Sequence, residues 1–346
     1  MKIIFSHKFK DITCVDNLLE AWAEFLIGKK GRKDVQEFQF RLMDNILSLH
    51  RDLINGSYRH GGYQCFNIVD PKPRVIHKAN VRDRILHRAV YRILYPFFDR
   101  KFISDSFSCR IGKGTHRAVL RFRTFARKVS RNNAKTAWVL KCDIKKFFAS
   151  IDQEVLLNIL REHICDAETI LLLSKIIASF NSGKVGKGLP LGNLTSQLLS
   201  NIYMDKFDQF VKHKIKAKYY IRYADDFVVL SMDKEWLKNI VPVISNFLIS
   251  SLKLRIHPGK VSIKTVASGV DFLGWVSFSD HLVLRGTTKK RMFRNITSSR
   301  RKSGTVQSYL GLIKHGNTIG IREDIQCYLS DSEKEKNGPP SISSDF

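Results

Sequence analysis

Two adjacent carboxylates lie between apolar runs in the segment YIRYADDFVVL, residues 220–230. Asp225 and Asp226 occupy the turn of this predicted hairpin, and Asp143 ends a separate apolar run, AWVLKCD. Strands bring together residues that are distant in sequence, so these three aspartates could share one site. Ionised carboxylates crowded in a half-buried place repel each other unless a cation compensates. The three aspartates therefore predict a site for divalent cations.

The chemistry that suits such a site is phosphoryl transfer. Carboxylate oxygens are hard ligands for Mg²⁺, which also accepts oxygens from a substrate phosphate. Two such ions, about 4 Å apart, would stabilise the attacking and leaving oxygens of an in-line displacement. Each piece also has a plainer explanation, because the paired aspartates could lie in an exposed turn and Asp143 could cap a helix. A strongly basic chain, however, has little reason to crowd acids at two apolar strand ends unless positive charge arrives there.

The overall charge indicates the class of partner. The chain carries 59 Lys and Arg against 32 Asp and Glu in 346 residues, a formal net charge of +27. A field of this size favours nucleic acid as the partner, ahead of an acidic membrane surface. The best apolar stretch, TILLLSKIIASF, is broken by Lys175, which predicts no membrane-spanning helix. The N-terminus lacks the apolar core of a secretory signal, which predicts a cytoplasmic protein.

Two acid-free segments are candidate surfaces for nucleic acid. Residues 106–142 contain ten Lys or Arg, and the segment THRAVLRFRTFARKVSR within them combines an apolar stripe with a basic face. A solvated amphipathic helix would show the same pattern, but a stretch of this length without negative charge favours a phosphate-facing surface. Residues 286–304 contain seven more basic residues. The candidate nucleic-acid contacts are Arg110, Lys113, Arg117, Arg121, Lys289, Lys290, Arg291 and Arg294.

Hydrophobic periodicity outlines the elements that must position these residues. Helical spacing predicts two helices within residues 17–53, one over 81–98 and a long one over 153–180. Alternation interrupted by prolines predicts short strands and a turn over residues 61–76. A glycine-rich loop opens a helix near Thr195. Further predicted elements are a helix around residues 234–252, a strand pair in VDFLGWVSF, and basic helices over residues 285–329.

Six motifs together resemble those of reverse transcriptases from bacterial retroelements. YADDFVVL, DIKKFF and FLGW resemble three motifs of the polymerase palm, and KPRVIHKANVRDRILHRAV and SFSCRIGKGTHRAVL resemble fingers motifs. The segment GLPLGNLTSQLLSNIYMDKFDQFVKH resembles the loop beside the nucleotide pocket. One match alone would be weak, but six in family order across residues 70–275 are specific.

The resemblance implies an α+β fold of the right-hand polymerase type. An N-terminal extension and fingers would occupy residues 1–137, and a palm with an antiparallel sheet would occupy residues 138–283. A further fingers segment would interrupt the palm at about residues 153–195. A short helical thumb would follow at residues 284–330, and a disordered tail at residues 331–346. We therefore expect a polymerase without the DNA-binding and HNH endonuclease domains that many intron proteins carry after the thumb.

The resemblance also implies roles for individual residues. Asp143, Asp225 and Asp226 would be catalytic and would bind two Mg²⁺ ions, or Mn²⁺, with the Ile144 carbonyl as a further ligand. The implied nucleotide-binding residues are Arg74, Lys72, Phe148, Leu191, Gly192 and Lys260.

The resemblance implies a specific function for three of these nucleotide-binding residues. The guanidinium of Arg74 would grip the triphosphate, since a fork of donors suits phosphate oxygens. Lys260 would lie near the leaving pyrophosphate. Phe148 would crowd a ribose 2′-hydroxyl and so select deoxynucleotides. A core phenylalanine beside Phe147 is the alternative interpretation of Phe148.

The LGNLTSQ loop resembles the enzymes of diversity-generating retroelements, which copy a template-repeat RNA and misincorporate opposite adenine. Group II intron enzymes usually have Gln-Gly where this chain has Leu191 and Gly192. An aliphatic Leu191 cannot hydrogen-bond the nucleotide, which predicts weaker control of base-pair geometry. The implied partners are template RNA, an RNA/DNA hybrid, dNTPs, a structured RNA and a small basic accessory variability protein.

Other functions share parts of this pattern. A retron or abortive-infection reverse transcriptase in phage defence would use the same chemistry. A catalytically decayed RNA-binding protein would explain the charge, although the three intact aspartates argue against it. A nuclease is disfavoured because no histidine lies in a recognisable HNH or metal-binding arrangement.

Overall fold

The computed structural model describes residues 4–69, 73–298 and 303–334, in which helices surround three antiparallel sheets. Within these ranges, no helix combines the length and apolarity that crossing a membrane requires. The helices are α1 (Phe9–Thr13), α2 (Val15–Leu26), α3 (Lys33–Phe40), α4 (Leu42–Ile54), α5 (Val81–Asp99), α6 (Thr115–Val129), α7 (Phe147–Ser150), α8 (Gln153–Arg161), α9 (Ala167–Ala178), α10 (Leu194–His213), α11 (Lys234–Leu252), α12 (Gly286–Ser298), α13 (Ser303–Ile313) and α14 (Ile319–Lys334). The strands are β1 (Tyr63–Ile68), β2 (Arg74–Ala79), β3 (Trp138–Asp143), β4 (Tyr220–Tyr223), β5 (Asp226–Ser231), β6 (Ser262–Thr265), β7 (Val270–Phe272), β8 (Trp275–Ser277) and β9 (Leu282–Leu284).

The four-stranded sheet has the order β4-β5-β3-β6, so β5 and β3 are its central strands. Alternate residues of β5 pack against different cores. Phe227 and Val229 belong to the larger core with α10 and α11, whereas Val228 and Leu230 pack with α6. Because both faces of the sheet are covered, β5 reads in the sequence as a continuous apolar run.

Helix α6 has the predicted amphipathic pattern. Its apolar stripe is buried, with Phe122 and Phe125 against the central sheet and Val119 against the C-terminal helices. Arg117 remains on the exposed face. The helix therefore connects one face of the sheet to the part of the chain predicted as the thumb.

Helices α5 and α11 begin and end close to their predicted bounds, and α10 begins close to Thr195, as predicted. The structure corrects two other predictions. The second helix predicted within residues 17–53 is divided at Arg41, whose backbone angles (φ −120°, ψ 46°) leave the helical region. The long helix predicted over residues 153–180 is also two helices, because Asp166 starts α9 by accepting a hydrogen bond from the Thr169 N–H.

The C-terminal part consists of the sheet β7-β8-β9 and helices α12, α13 and α14, which share a third core. Trp275 is buried there with Met292 and Ile313. The predicted tail is wrong for its first four residues, 331–334, because α14 continues to Lys334. Residues 335–346 of that predicted tail lie outside the described residues.

Candidate active site

The three aspartates converge at one end of the central sheet. Asp143 ends β3 and lies directly opposite Asp226, the first residue of β5. The Asp143 carbonyl accepts a 2.8 Å hydrogen bond from the His257 N–H, on the side of β3 away from β5. Asp143 and Asp226 therefore form a non-hydrogen-bonded pair, the arrangement in which opposing side chains come closest. Asp225 immediately precedes Asp226 in the turn after β4, so all three predicted carboxylates meet here.

Burial and mutual repulsion disfavour the ionised carboxylates. Burial raises the pKa of Asp226 to about 6; the charge of Lys141 opposes this shift, and those of Asp225 and Asp143 add to it. Burial also raises the pKa of Asp225, and the charge of Asp143 raises it further. A site of this kind is stabilised when a cation binds between the carboxylates.

Lys260 supplies positive charge at this site. It ends the short 3₁₀ turn Pro258–Lys260, and its ammonium group donates a 2.8 Å hydrogen bond to Asp143 Oδ2. The sequence predicts Lys260 near the leaving pyrophosphate, and the structure places it directly against one of the three carboxylates.

The donor set is of the type that Mg²⁺ prefers, because it consists of carboxylate and carbonyl oxygens. Backbone alternation turns the Ile144 carbonyl toward β5 and the turn that carries Asp225. In the parts of the chain that the structure describes, no three acidic, His or Cys side chains are already gathered closely enough to hold an ion.

An open cleft of about 1040 Å³ extends from Asp226 between the central sheet and α12. This volume is above the roughly 300–1,000 Å³ typical of small-ligand pockets. A basic cleft that leads to a cluster of carboxylates suits a polyanion that reacts at the cluster. The basic residues that line the cleft are Arg74, Lys141, Arg285, Lys290, Arg291 and Arg294.

The lining residues Lys141 and Arg285 were not among the predicted site residues. Lys141 lies two positions before Asp143 in β3, so the two side chains share one face of the sheet. This two-residue spacing is the sequence pattern that could have identified Lys141 as a site residue. Lys141 Nζ donates a 2.6 Å hydrogen bond to the Asp271 carbonyl, and Arg285 forms a 2.9 Å ion pair with the Asp271 carboxylate. These contacts join β3, β7 and the start of α12 beside the aspartates.

The structure places Arg74 at the first position of β2, facing the aspartates. It lines the cleft, and its charge lowers the pKa of Asp225 against the larger effect of burial. This location fits the predicted contact with a triphosphate. Lys72, the neighbouring candidate, lies outside the described residues.

The loop that contains Leu191 and Gly192 is joined to β2. The Leu191 carbonyl accepts a 2.9 Å hydrogen bond from the His77 N–H, and the Asn193 side chain donates a 2.8 Å bond to the His77 carbonyl. Gly192 has φ +102°, and a Cβ there would lie 2.6 Å from Ile76 Cγ2. Only glycine permits this approach of the loop to the strand without displacement.

Phe147 and Phe148 have different environments. Phe147 is 3% exposed in the larger core, whereas Phe148 is only partly buried at the edge of that core. The Phe148 carbonyl accepts a 2.9 Å hydrogen bond from the Leu189 N–H. Phe147 is therefore a core residue, whereas Phe148, for which the sequence left a core role open, is only partly buried and adjoins the loop that carries Leu191.

The environment of Arg110 differs from the predicted nucleic-acid contact. Its side chain is 6% exposed, and its guanidinium forms a 2.6 Å ion pair with Asp99. It also donates hydrogen bonds to the backbone carbonyls of Asp99, Ile103 and Ser106. These internal acceptors use the donors that a phosphate would need, so Arg110 stabilises the fold here.

The other three candidates from residues 106–142 are partly engaged. Lys113 donates a 2.7 Å hydrogen bond to the Ser104 carbonyl, and Arg117 donates to a nearby backbone carbonyl. Arg121 forms a 2.7 Å ion pair with Asp105. Arg117 is exposed and the Arg121 side chain remains 39% exposed, so both present charge to solvent.

The four C-terminal candidates lie on α12. Lys290, Arg291 and Arg294 line the cleft, whereas Lys289 faces α14, where it lies 3.5 Å from Asp324. The structure therefore brings three of the four to the cleft that leads to the aspartates.

Comparison with known proteins identifies the family. Residues 69–277, more than half of the chain, match the family described as "Reverse transcriptase (RNA-dependent DNA polymerase)". Protein YkfC of Escherichia coli (strain K12) is 26% identical over 278 residues, which cover 68% of this chain and 72% of YkfC. Group II intron-encoded protein LtrA of Lactococcus lactis subsp. cremoris is 22% identical over 282 residues, which cover 60% of this chain and 45% of LtrA. This chain thus spans less than half of LtrA.

A solved structure shows a similar fold. Apo telomerase from Candida tropicalis aligns with a TM-score of 0.50 and 13% sequence identity, over 64% of this chain and 48% of the telomerase chain. This likeness concerns the fold alone. The family match adds the chemistry: the chain belongs to the reverse transcriptase family of RNA-directed DNA polymerases.

Proposed function

We propose that this protein copies an RNA template into DNA by adding deoxynucleotides to a primer. The observation that carries the proposal is the pairing of Asp143 with Asp226, beside Asp225, at one end of a basic cleft. In the proposed reaction the primer 3′-hydroxyl attacks the α-phosphorus of a dNTP, and pyrophosphate leaves.

Each residue of the site would have a separate role in this reaction. The three carboxylates and the Ile144 carbonyl would hold two divalent ions, which when bound neutralise charge on the attacking and leaving oxygens. Arg74 would hold the triphosphate through its paired N–H donors. Lys260 would place positive charge beside the leaving phosphates, and Phe148 would exclude a ribose 2′-hydroxyl.

Primer extension on an RNA template tests the proposal. The purified chain, with Mg²⁺ and dNTPs, should extend an annealed DNA primer, and sequencing of the cDNA should return the template sequence. Binding of RNA without any extension, under Mg²⁺ and Mn²⁺ alike, would contradict the proposal and favour a decayed RNA-binding protein.

Helix α12 should grip the primer–template duplex through phosphate contacts, which position it without reading its sequence. Affinity for an RNA/DNA hybrid should then fall steeply with salt, and Lys290→Ala should reduce the log–log slope by about one. Fluorescence anisotropy across a salt series measures this slope. Lys238→Ala is the matched control, because Lys238 is exposed on α11 and paired with Glu235. An equal slope for both variants would show that Lys290 does not contact the duplex.

We further propose that copying is error-prone, as in a diversity-generating retroelement. The support is Leu191, which lies in the loop bonded to β2 and offers no side-chain hydrogen bond to a nucleotide. The partners in that system would be a template-repeat RNA and a small basic accessory protein.

Leu191→Gln should restore fidelity opposite template adenine. A glutamine side chain can hydrogen-bond and orient the incoming nucleotide, so misincorporation should fall by about tenfold or more. Steady-state incorporation opposite A, compared with that opposite the other template bases, measures the change. Leu191→Met, which keeps an apolar side chain, should retain the wild-type error rate. Equal error rates in wild type and Leu191→Gln would remove the error-prone interpretation.

The relatives favour a second candidate function, the copying of an intron-type RNA. LtrA is a group II intron-encoded protein, and another relative is an Arabidopsis thaliana nuclear intron maturase, 26% identical over 151 residues. The neighbouring genes separate the candidates. A repeat pair that differs at adenines supports diversification, a flanking ribozyme-like RNA supports an intron, and an adjacent toxin or effector gene supports phage defence.

A further inference from the structure

Arg222 is a charged residue in β4 that is fully buried, three positions before Asp225. Its Nε and Nη2 atoms each donate a 2.7 Å hydrogen bond to one carboxylate oxygen of Asp208 on α10. This bidentate fork is the most specific geometry for a guanidinium and a carboxylate. Asp208 is fully buried too, so the two charges compensate each other inside the protein.

The other donors of Arg222 reach three further acceptors. Nη2 donates to Ser106 Oγ at 3.0 Å. Nη1 donates to Asn201 Oδ1 at 3.3 Å and to the Ala224 carbonyl at 3.1 Å. A guanidinium has five N–H groups, and these five contacts give each one an acceptor.

The bond to Ala224 matters because that carbonyl belongs to the peptide that joins Ala224 to Asp225. Ala224 has φ +53°, in the left-handed region that residues with side chains rarely adopt. Such a conformation persists only when its surroundings hold it. The Nη1 contact is therefore placed to hold the turn that presents Asp225 and Asp226.

Arg222 acts from the opposite face of the sheet. Its side chain points to α10, whereas Asp226 lines the cleft on the other face. Its backbone is also fixed, because the Arg222 N–H donates to the Asp105 carbonyl and the Arg222 carbonyl accepts from the Phe107 N–H, both at 3.0 Å. A substrate in the cleft cannot touch this guanidinium.

We propose that Arg222 is a positioning residue for the catalytic carboxylates. Held by Asp208 and Asn201, it fixes the peptide between Ala224 and Asp225 so that the aspartates face a divalent ion. The role rests on the proposed function, since that function requires ions at this site.

The test is Arg222→Lys, which keeps the charge but replaces the planar fork by one ammonium that cannot reach both Asp208 and the Ala224 carbonyl. Mn²⁺ binding, measured by electron paramagnetic resonance, should weaken about 10- to 100-fold, the usual effect of losing a partner behind metal ligands. The kcat of primer extension should fall similarly, while the dNTP KM and the affinity for RNA stay near wild type.

The matched control is Tyr220→Phe. It removes the 2.7 Å bond from the Tyr220 hydroxyl to Asp208 but leaves the contact with Ala224 in place. It should therefore bind Mn²⁺ like wild type. A structural role alone would lower the melting temperature of the variants without changing Mn²⁺ affinity, so a folded Arg222→Lys protein with wild-type Mn²⁺ affinity overturns the proposal.

If Arg222→Lys does not fold, Asn201→Ser gives the decision. This variant removes the second acceptor of Nη1 and should weaken Mn²⁺ binding in the same direction; unchanged binding overturns the proposal. If wild type binds Mn²⁺ but extends no primer, the proposed function fails, and the Mn²⁺ comparison still decides the role of Arg222.

Discussion

Asp225→Asn should abolish DNA synthesis and leave a folded protein that binds RNA. Asparagine keeps the shape of the side chain but removes the charge that holds divalent ions. Loss of several kcal/mol of transition-state stabilisation corresponds to a rate decrease of about 10³-fold or more. The charge of Asp225 contributes to the raised pKa of Asp226, so its removal relieves repulsion in the metal-free site. Primer extension and RNA-binding anisotropy measure the two halves of this prediction.

Asp280→Asn is the control for Asp225→Asn. Asp280 is an exposed aspartate, paired with His281 outside the cleft, and its substitution should leave both RNA binding and synthesis unchanged. If Asp225→Asn made cDNA at a rate near that of the control, the assignment of this carboxylate to catalysis would be wrong.

Phe148→Ala should admit ribonucleotides. Phe148 is partly buried, and its carbonyl is bonded to the Leu189 N–H at the start of the loop of Leu191, so removal of the ring should leave room for a 2′-hydroxyl. We expect the preference for dNTPs over rNTPs to fall by about 10- to 100-fold, the range over which a pocket discriminates by shape. The ratio of kcat/KM for dCTP and CTP, opposite a template guanine, measures it.

Phe147→Leu separates selectivity from stability. Phe147 is a core residue, so its truncation should lower the melting temperature and leave the dCTP/CTP ratio unchanged. Phe148→Ala should show the reverse pattern. An unchanged ratio in Phe148→Ala would assign that ring to packing alone.

The convergence of the three aspartates could be predicted from sequence. Asp143 and the pair Asp225 and Asp226 each adjoin an apolar strand, and the resemblance to polymerase motifs implied that they share one site. Helices α5 and α11 were also predictable, because each carries a long, regular apolar period. The local sequence pattern was sufficient to predict an element wherever the contacts that stabilise it join residues close in sequence.

Other features depend on partners that only the fold brings together. The sequence predicts that Arg110 contacts phosphate, but in the folded chain Asp99 and several backbone carbonyls accept its hydrogen bonds. The bond from Lys260 to Asp143 joins residues 117 positions apart. The burial of Arg222 likewise requires Asp208 on a separate helix. Charge and periodicity identify basic residues in the sequence, but they do not show which acceptor each side chain will contact. The acceptor decides whether a basic residue has a surface role or an internal one.

The bonds between Leu191, Asn193 and His77 have a mechanical consequence. They make the ribbon of β1 and β2 and the loop of Leu191 a single moving part, because neither can shift alone without losing the two hydrogen bonds at His77. Any closure of the ribbon over a bound nucleotide therefore carries Leu191 with it. The proposed base selection by the Leu191 loop and the proposed triphosphate capture by Arg74 would in this way be coupled through one short stretch of main chain.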